Sequence, residues 1–179
     1  MNTAETDTVK TKAQHIRLVI LDVDGVLTNG DLLFDDQGRE YKTFNSQDGH
    51  GIRMLHECHI AVAIITGRQS DSLKHRMRDL GIKQIFQGYR DKYPAFIQLL
   101  VETRLQANQI AYIGDDLPDL PVMSRVGFAI AVQNAHPFVK KQANWVTRAS
   151  GGSGAVREAI DFILKAQGLL DDKQASYLR

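Results

Sequence analysis

Three short polar stretches, two of them acidic, have the residue types and spacing of a phosphoryl-transfer site. Asp22-Val23-Asp24-Gly25 follows the apolar run Leu18-Val19-Ile20-Leu21. Thr66-Gly67-Arg68 follows the run from Ile60 to Ile65, and Gly114-Asp115-Asp116, with Asp119 close behind, follows Ile110 to Ile113. Lys92 lies between the last two, at the start of a helical pattern. Carboxylates brought together repel, and without a counter-ion some take up protons. A hard divalent cation removes the conflict. Magnesium prefers oxygen ligands, keeps several waters and also binds phosphate. In an extended segment residues i and i+2 face the same way, so Asp22 and Asp24 share one side if the chain stays extended to Asp24, and Gly25 then permits a turn. One carboxylate can attack phosphorus while the other exchanges protons with the leaving oxygen and with water.

These residues converge only if the elements carrying them do. Apolar, largely β-branched runs are strands buried on both faces of a parallel sheet. Besides the three above, Phe128 to Val132, Trp145-Val146-Thr147 and Gln84-Ile85-Phe86 qualify. Helical spacing falls between them, over Asp48–Cys58, Ser70–Leu80 with Gly81 as its stop, Lys92–Arg104 and Gly154–Ala166. The alternation predicts an α/β fold, a doubly wound, Rossmann-like parallel sheet with helices on both faces. Ligands of such sheets bind at the carboxyl ends of the strands, where three of the motifs stand, with Lys92 at a helix start between the second and third. Residues 31–44 break the rhythm and read as a small β-hairpin inserted after the first strand, turning at Asp35-Asp36-Gln37-Gly38.

The chain has 179 residues, enough for one sizeable core. The expected organisation is a loose N-terminal arm over 1–15, a single domain over 16–167 and a mobile tail over 168–179. A net charge of +1 gives no sign of a nucleic-acid or membrane partner. The lone cysteine, Cys58, excludes an internal disulfide. The polar N-terminal residues lack the apolar region of a signal peptide, no run approaches the roughly 18 apolar residues of a membrane span, and a cytoplasmic protein is expected.

The four motifs, in this order, resemble those of the haloacid dehalogenase superfamily of phosphatases. The resemblance implies magnesium as cofactor and a phospho-aspartate intermediate. It makes Asp22 the nucleophile and a metal ligand. Asp24 becomes the general acid/base, reaching the metal through its backbone carbonyl. Thr66 would bond the transferring phosphoryl group, with Gly67 beside it, and Lys92 would pair with nucleophile and phosphate. Asp115 would bind the metal and Asp116 support its shell. From Arg17 to Gly168 the chain is also similar to the phosphatase family acting on 3-deoxy-D-manno-octulosonate 8-phosphate. The similarity is carried by the hairpin and by the stretches Phe44-Asn45-Ser46-Gln47-Asp48-Gly49-His50-Gly51-Ile52, Leu117-Pro118-Asp119 and Gly151-Gly152-Ser153-Gly154-Ala155-Val156-Arg157-Glu158. That family lacks a large cap domain, forms homotetramers whose neighbouring subunits help close each site, and serves lipopolysaccharide precursor synthesis. By the same resemblance Arg68 and Arg76 would contact the acidic sugar.

Plainer readings compete at several positions. Asp119 serves equally as a cap or support, Arg68 as a loop anchor, Arg76 as part of a solvated helix face, and Gly151–Gly154 as an ordinary loop. His56, Cys58 and His59 lack the spacing and second ligand pair of a zinc site. Two other functions fit the motifs: a phosphatase for a related nonulosonate phosphate, and a phosphate-accepting signalling module without turnover. In receivers the accepting aspartate ends a middle strand; here the corresponding strand ends in Thr66, which favours the phosphatase.

Overall fold

The computed structural model describes residues 3–179, with side chains described from residue 7 onward. Strand β1 (Leu18–Leu21) is buried along its whole length and lies at the centre. Hairpin strands β2 (Leu33–Phe34) and β3 (Glu40–Tyr41) follow and form a separate two-stranded antiparallel sheet. The chain continues through α2 (Ser46–Glu57), β4 (Ala61–Thr66), α3 (Asp71–Asp79), β5 (Gln84–Gln87), α4 (Tyr93–Thr103) and β6 (Ile110–Gly114). It ends through α5 (Leu120–Met123), β7 (Phe128–Ala131), α6 (Pro137–Gln142), β8 (Trp145–Val146), α7 (Ala155–Ala166) and α8 (Leu170–Ala175). A helix α1 (Thr3–Gln14) precedes them all.

The main sheet is parallel in the order β5-β4-β1-β6-β7-β8. The order reverses at β1, which pairs in register with β4 on one side (Leu21 opposite Ile64) and β6 on the other (Leu21 opposite Ile113). Three motif-bearing strand ends are thereby brought side by side at the switch point, where doubly wound sheets bind ligands. Helices cover both faces: α7 packs on α1 and α2, and α5 packs on α4, β6 and β7. The stripe Val156, Ala159, Ile160, Ile163 and Leu164 on α7 is fully buried, as its three- and four-residue spacing requires. Gly51 lets α2 close on it, since a Cβ there would stand 3.0 Å from Arg157 Cδ and 3.2 Å from Ile160 Cδ1.

Both chain ends differ from expectation. Residues 3–14 of the expected loose arm form α1, because Val9 and Ala13, one turn apart, bury against α7 and β7; Met1 and Asn2 lie outside the described residues. A single small apolar face in a polar, threonine-rich segment gives little periodic signal. The expected mobile tail folds into α8 and a short turn over Ser176–Leu178. Leu170 is buried, Lys173 pairs with Glu57, and the Tyr177 ring lies 5.2 Å from that of His50. Among the described residues no helix is long and apolar enough to cross a membrane.

Truncating the fully buried Ile160 leaves a cavity between α7 and α2. Ile160→Ala is expected to lower unfolding stability by about 2–5 kcal/mol, read as a lower urea midpoint at unchanged slope. A midpoint equal to wild type would show that this interface is not part of the core.

Candidate active site

Asp22 follows β1 directly. Its N–H donates to the Ile113 carbonyl at 3.1 Å, which extends the sheet register by one residue. The chain does not stay extended to Asp24. It turns at Val23, whose carbonyl accepts from the N–H groups of Val26, Leu27 and Thr28, and both carboxylates still reach the same cleft. Gly25 completes the turn at φ +90°. A Cβ there would stand 2.1 Å from Asp115 Oδ2, so only glycine lets the loop lie this close to the acidic cluster. Across from it Gly151 presses on the same turn, where a Cβ would meet the Gly25 carbonyl oxygen at 1.7 Å. The Gly152 N–H donates to the Val26 carbonyl at 2.9 Å. Within this chain, the Gly151–Gly154 loop buttresses the turn that presents Asp22 and Asp24.

The cleft above these strand ends has a volume of about 620 Å³. Asp22, Asp24, Thr66, Gly67, Arg68, Lys92, Asp115 and Asp116, eight of the nine residues singled out for the site, line it. Arg76 does not. Its guanidinium lies against α2, where a Cβ on Gly49 would be 2.2 Å from Nη2, and its Nε is buried without a hydrogen-bond partner. The regular spacing of α3 turns Arg76 toward α2 rather than toward the mouth of its own subunit's cleft. Arg68 does line the cleft, held at its edge by Glu40 at 2.8 Å and over the Phe34 ring.

Carboxylate oxygens of Asp22, Asp115 and Asp119 all lie within 4.8 Å of one another. Lys92, the residue before α4, is buried there; its Nζ sits 2.8 Å from Asp22 Oδ1 and 2.6 Å from Asp119 Oδ1. Burial disfavours its charge, yet the two carboxylates outweigh that and hold the ammonium above its ordinary pKa. One ammonium does not satisfy three carboxylates. Burial, then the charge of Asp119, pushes Asp22 up to about 7, while burial and the charge of Asp22 push Asp115 up to about 8. Asp115 Oδ1 is buried with no hydrogen-bond partner.

Asp119 has a different character. Its Oδ1 accepts from Lys92 and from the Tyr112 hydroxyl at 2.7 Å, and its Oδ2 accepts from the N–H groups of Asp115 at 2.9 Å and Asp116 at 3.1 Å. Both oxygens are engaged inside the protein, so Asp119 fixes the other groups instead of offering itself. Gly114 makes room for it, because a Cβ there would stand 2.7 Å from its carboxyl carbon. Tyr112 escaped sequence reasoning because it lies hidden in an apolar strand. Arg90, which also lines the cleft, carries no motif signal.

A model of the haloacid dehalogenase-like hydrolases matches residues 81–160. The 3-deoxy-D-manno-octulosonate 8-phosphate phosphatase of Yersinia pestis is 50% identical over 165 residues, 92% of this chain and 88% of that protein. The chain belongs to the 3-deoxy-D-manno-octulosonate 8-phosphate phosphatase family. The crystal structure of the Yersinia enzyme superposes with a TM-score of 0.91, covering 92% of this chain and 89% of that one. The family's enzyme from Moraxella catarrhalis, solved in complex with magnesium, phosphate and the KDO molecule, gives a TM-score of 0.93 at 40% identity, over 96% of this chain and 98% of that one.

The donor set fits a hard divalent cation: two raised carboxylates from different strand ends, one with an orphaned oxygen, and no soft ligand in the cluster. A sign follows for stability. Between about pH 4, where an ordinary aspartate ionises, and pH 8 the ion-free fold keeps protons that the unfolded chain has lost. Its stability therefore falls as pH rises through that window. Magnesium reverses the loss, and the melting-temperature gain on adding it is expected to be larger at pH 8 than at pH 5. A larger gain at pH 5 would contradict the assignment.

Proposed function

We propose that this chain hydrolyses the phosphate monoester of an acidic sugar, 3-deoxy-D-manno-octulosonate 8-phosphate, through a phospho-aspartate on Asp22. The observation that carries the reading is the convergence of Asp22 and Asp115, from neighbouring strand ends, beside Asp24 and the buried Lys92. The name shared by its half-identical relatives supplies the substrate. Asp22, Asp115 and the Asp24 carbonyl would hold magnesium, with Asp116 in support. When bound, the ion supplies positive charge to the phosphoryl oxygens.

Two cluster carboxylates bond Lys92, and Asp119 has both of its oxygens engaged inside the protein, which leaves Asp22 as the nucleophile. Its free oxygen attacks phosphorus, the bond to the sugar oxygen breaks, and Asp24 gives its proton to the departing alkoxide. Asp24, now a carboxylate, takes a proton from water. The hydroxide attacks the phospho-aspartate, freeing phosphate and restoring Asp22. Lys92 keeps the Asp22 carboxylate in line, and Thr66, buried at the end of β4, offers its hydroxyl to the phosphoryl group. Transfer of this kind depends on positioning and charge stabilisation. Arg68 at the mouth is the partner for the sugar carboxylate.

The active form is a homotetramer on this reading, at work in the cytoplasm, where a single cysteine and no disulfide are at home. Leu32, Leu33, Phe34 and Tyr41 on the hairpin are each about half exposed, a patch suited to another subunit.

Asp22→Asn is expected to lower phosphate release by at least about 10³-fold while melting and circular dichroism stay native. In a panel of sugar phosphates with magnesium, the octulosonate 8-phosphate should give the highest kcat/KM. Wild-type rates in the variant, or preference for a neutral sugar phosphate, would refute the reading. Light scattering should give four times the 20.0 kDa chain mass; a monomer would refute the tetramer.

A further inference from the structure

The hairpin brings two charged residues to the active site that no motif marks. Glu40 and Lys42 are two residues apart at the end of β3, so their side chains leave the same face. Lys42 Nζ is bonded to Asp24 Oδ1 and lies 3.3 Å from Glu40 Oε1. Its side chain is only 3% exposed. A buried ammonium is tolerated where carboxylates surround it, and here it has two. Arg68 closes the circuit: its Nη2 is 2.8 Å and its Nε 3.2 Å from Glu40 Oε1, and its Nε is 3.9 Å from Asp24 Oδ2. Lys42 itself is not among the described residues that line the cleft, so its route to the chemistry runs through Asp24.

The hairpin is built to hold that lysine still. Asp35 Oδ1 accepts from the N–H groups of Gln37 at 3.0 Å and Arg39 at 2.8 Å, and its Oδ2 accepts from Arg39 Nε at 2.6 Å and the Tyr41 hydroxyl at 3.2 Å. One carboxylate thus ties the turn to both residues that flank Glu40. The turn of residues 23–28 that carries Asp24 lies beyond the end of β1 at Leu21, and Lys42 donates the hydrogen bond that holds its carboxylate.

We propose that Lys42 is the positioning residue for Asp24: by holding Oδ1, it leaves Oδ2 as the oxygen that exchanges the proton in the cleft. This rests on the reading of Asp24 as acid/base. In the first half-reaction the proton leaves Asp24 Oδ2 for the sugar alkoxide; in the second the same oxygen takes a proton from the attacking water. Glu40 balances the charge of Lys42 and Arg68, which ties the placement of the sugar-facing arginine to that of the proton donor. The small insert standing where a cap domain would be is on this account part of the catalytic apparatus as well as a wall.

A double-mutant cycle on the magnesium-loaded enzyme decides the matter, with phosphate release from the octulosonate phosphate followed in single turnovers. Lys42→Met is expected to lower the rate on the order of 10- to 100-fold, a part of what positioned acid/base catalysis supplies. Its KM should stay within about threefold of wild type, and Lys42→Arg should recover most of the rate. In an Asp24→Asn background the further change Lys42→Met should alter the rate by less than about twofold, because its effect passes through the missing carboxylate. If Met disturbs the hairpin, as a lowered melting temperature would reveal, Lys42→Gln should show the same pattern. An equal loss in both backgrounds would make Lys42 a structural residue and overturn the proposal, as would a wild-type rate in Lys42→Met. A wild-type rate in Asp24→Asn alone would overturn the acid/base reading itself and this proposal with it.

Discussion

Mutual repulsion among aspartates crowded at one strand edge is the constraint that the rest of the site answers. Asp22 and Asp115 end adjacent strands, and the in-register pairing of β1 with β6 leaves them no freedom to move apart. Lys92 offsets part of the charge, and the carboxylate protons held up to near-neutral pH carry the remainder in the ion-free protein. Such a site is poised for a cation and, beyond it, for the dianionic phosphate that the cation attracts. The unfavourable charge density is the binding function.

The scaffold around the cluster removes freedom from every group that takes part. Asp119 spends both oxygens on Lys92, Tyr112 and two backbone N–H groups, so the ammonium cannot swing away from Asp22 and the Asp115 loop cannot drift. Three glycines allow that density. Gly25 permits the turn, Gly114 admits Asp119, and Gly151 lets a second loop rest on the first. A Cβ at any of them would stand less than 3 Å from a neighbour in the site: Asp115, Asp119 or the Gly25 carbonyl. Held in this way, the groups need little rearrangement during the reaction, which is the chief advantage a protein has over water in phosphoryl transfer.

Much of this arrangement was legible from residue order. Each long β-branched run became a strand of the parallel sheet, and because strand order in such folds reverses near the first strand, residues at the ends of β1, β4 and β6 had to meet. Asp22, Asp24, Thr66 and Asp115 are legible in this way, and Lys92 from its place at the start of a helical pattern between the second and third runs. What escaped notice depends on tertiary contacts. Tyr112 reads as another apolar core residue until Asp119 is seen folding back on it. Lys42 pairs with Asp24 across an insert whose docking no spacing encodes. Arg76 lies outside this chain's own cleft because helix phase, not sequence neighbourhood, decides which way it faces. Helix α1 hides behind Val9 and Ala13, too small an apolar face to give a clear helical period.

The central claim is that Asp22 receives the phosphoryl group beside an ion shared with Asp115. A crystal structure of the protein grown with magnesium and beryllofluoride tests it most directly. The account predicts beryllium bonded to a carboxylate oxygen of Asp22, with one magnesium ion coordinated by both Asp22 and Asp115. Beryllofluoride bonded to Asp24 or Asp115, or magnesium lodged away from this pair, would contradict it.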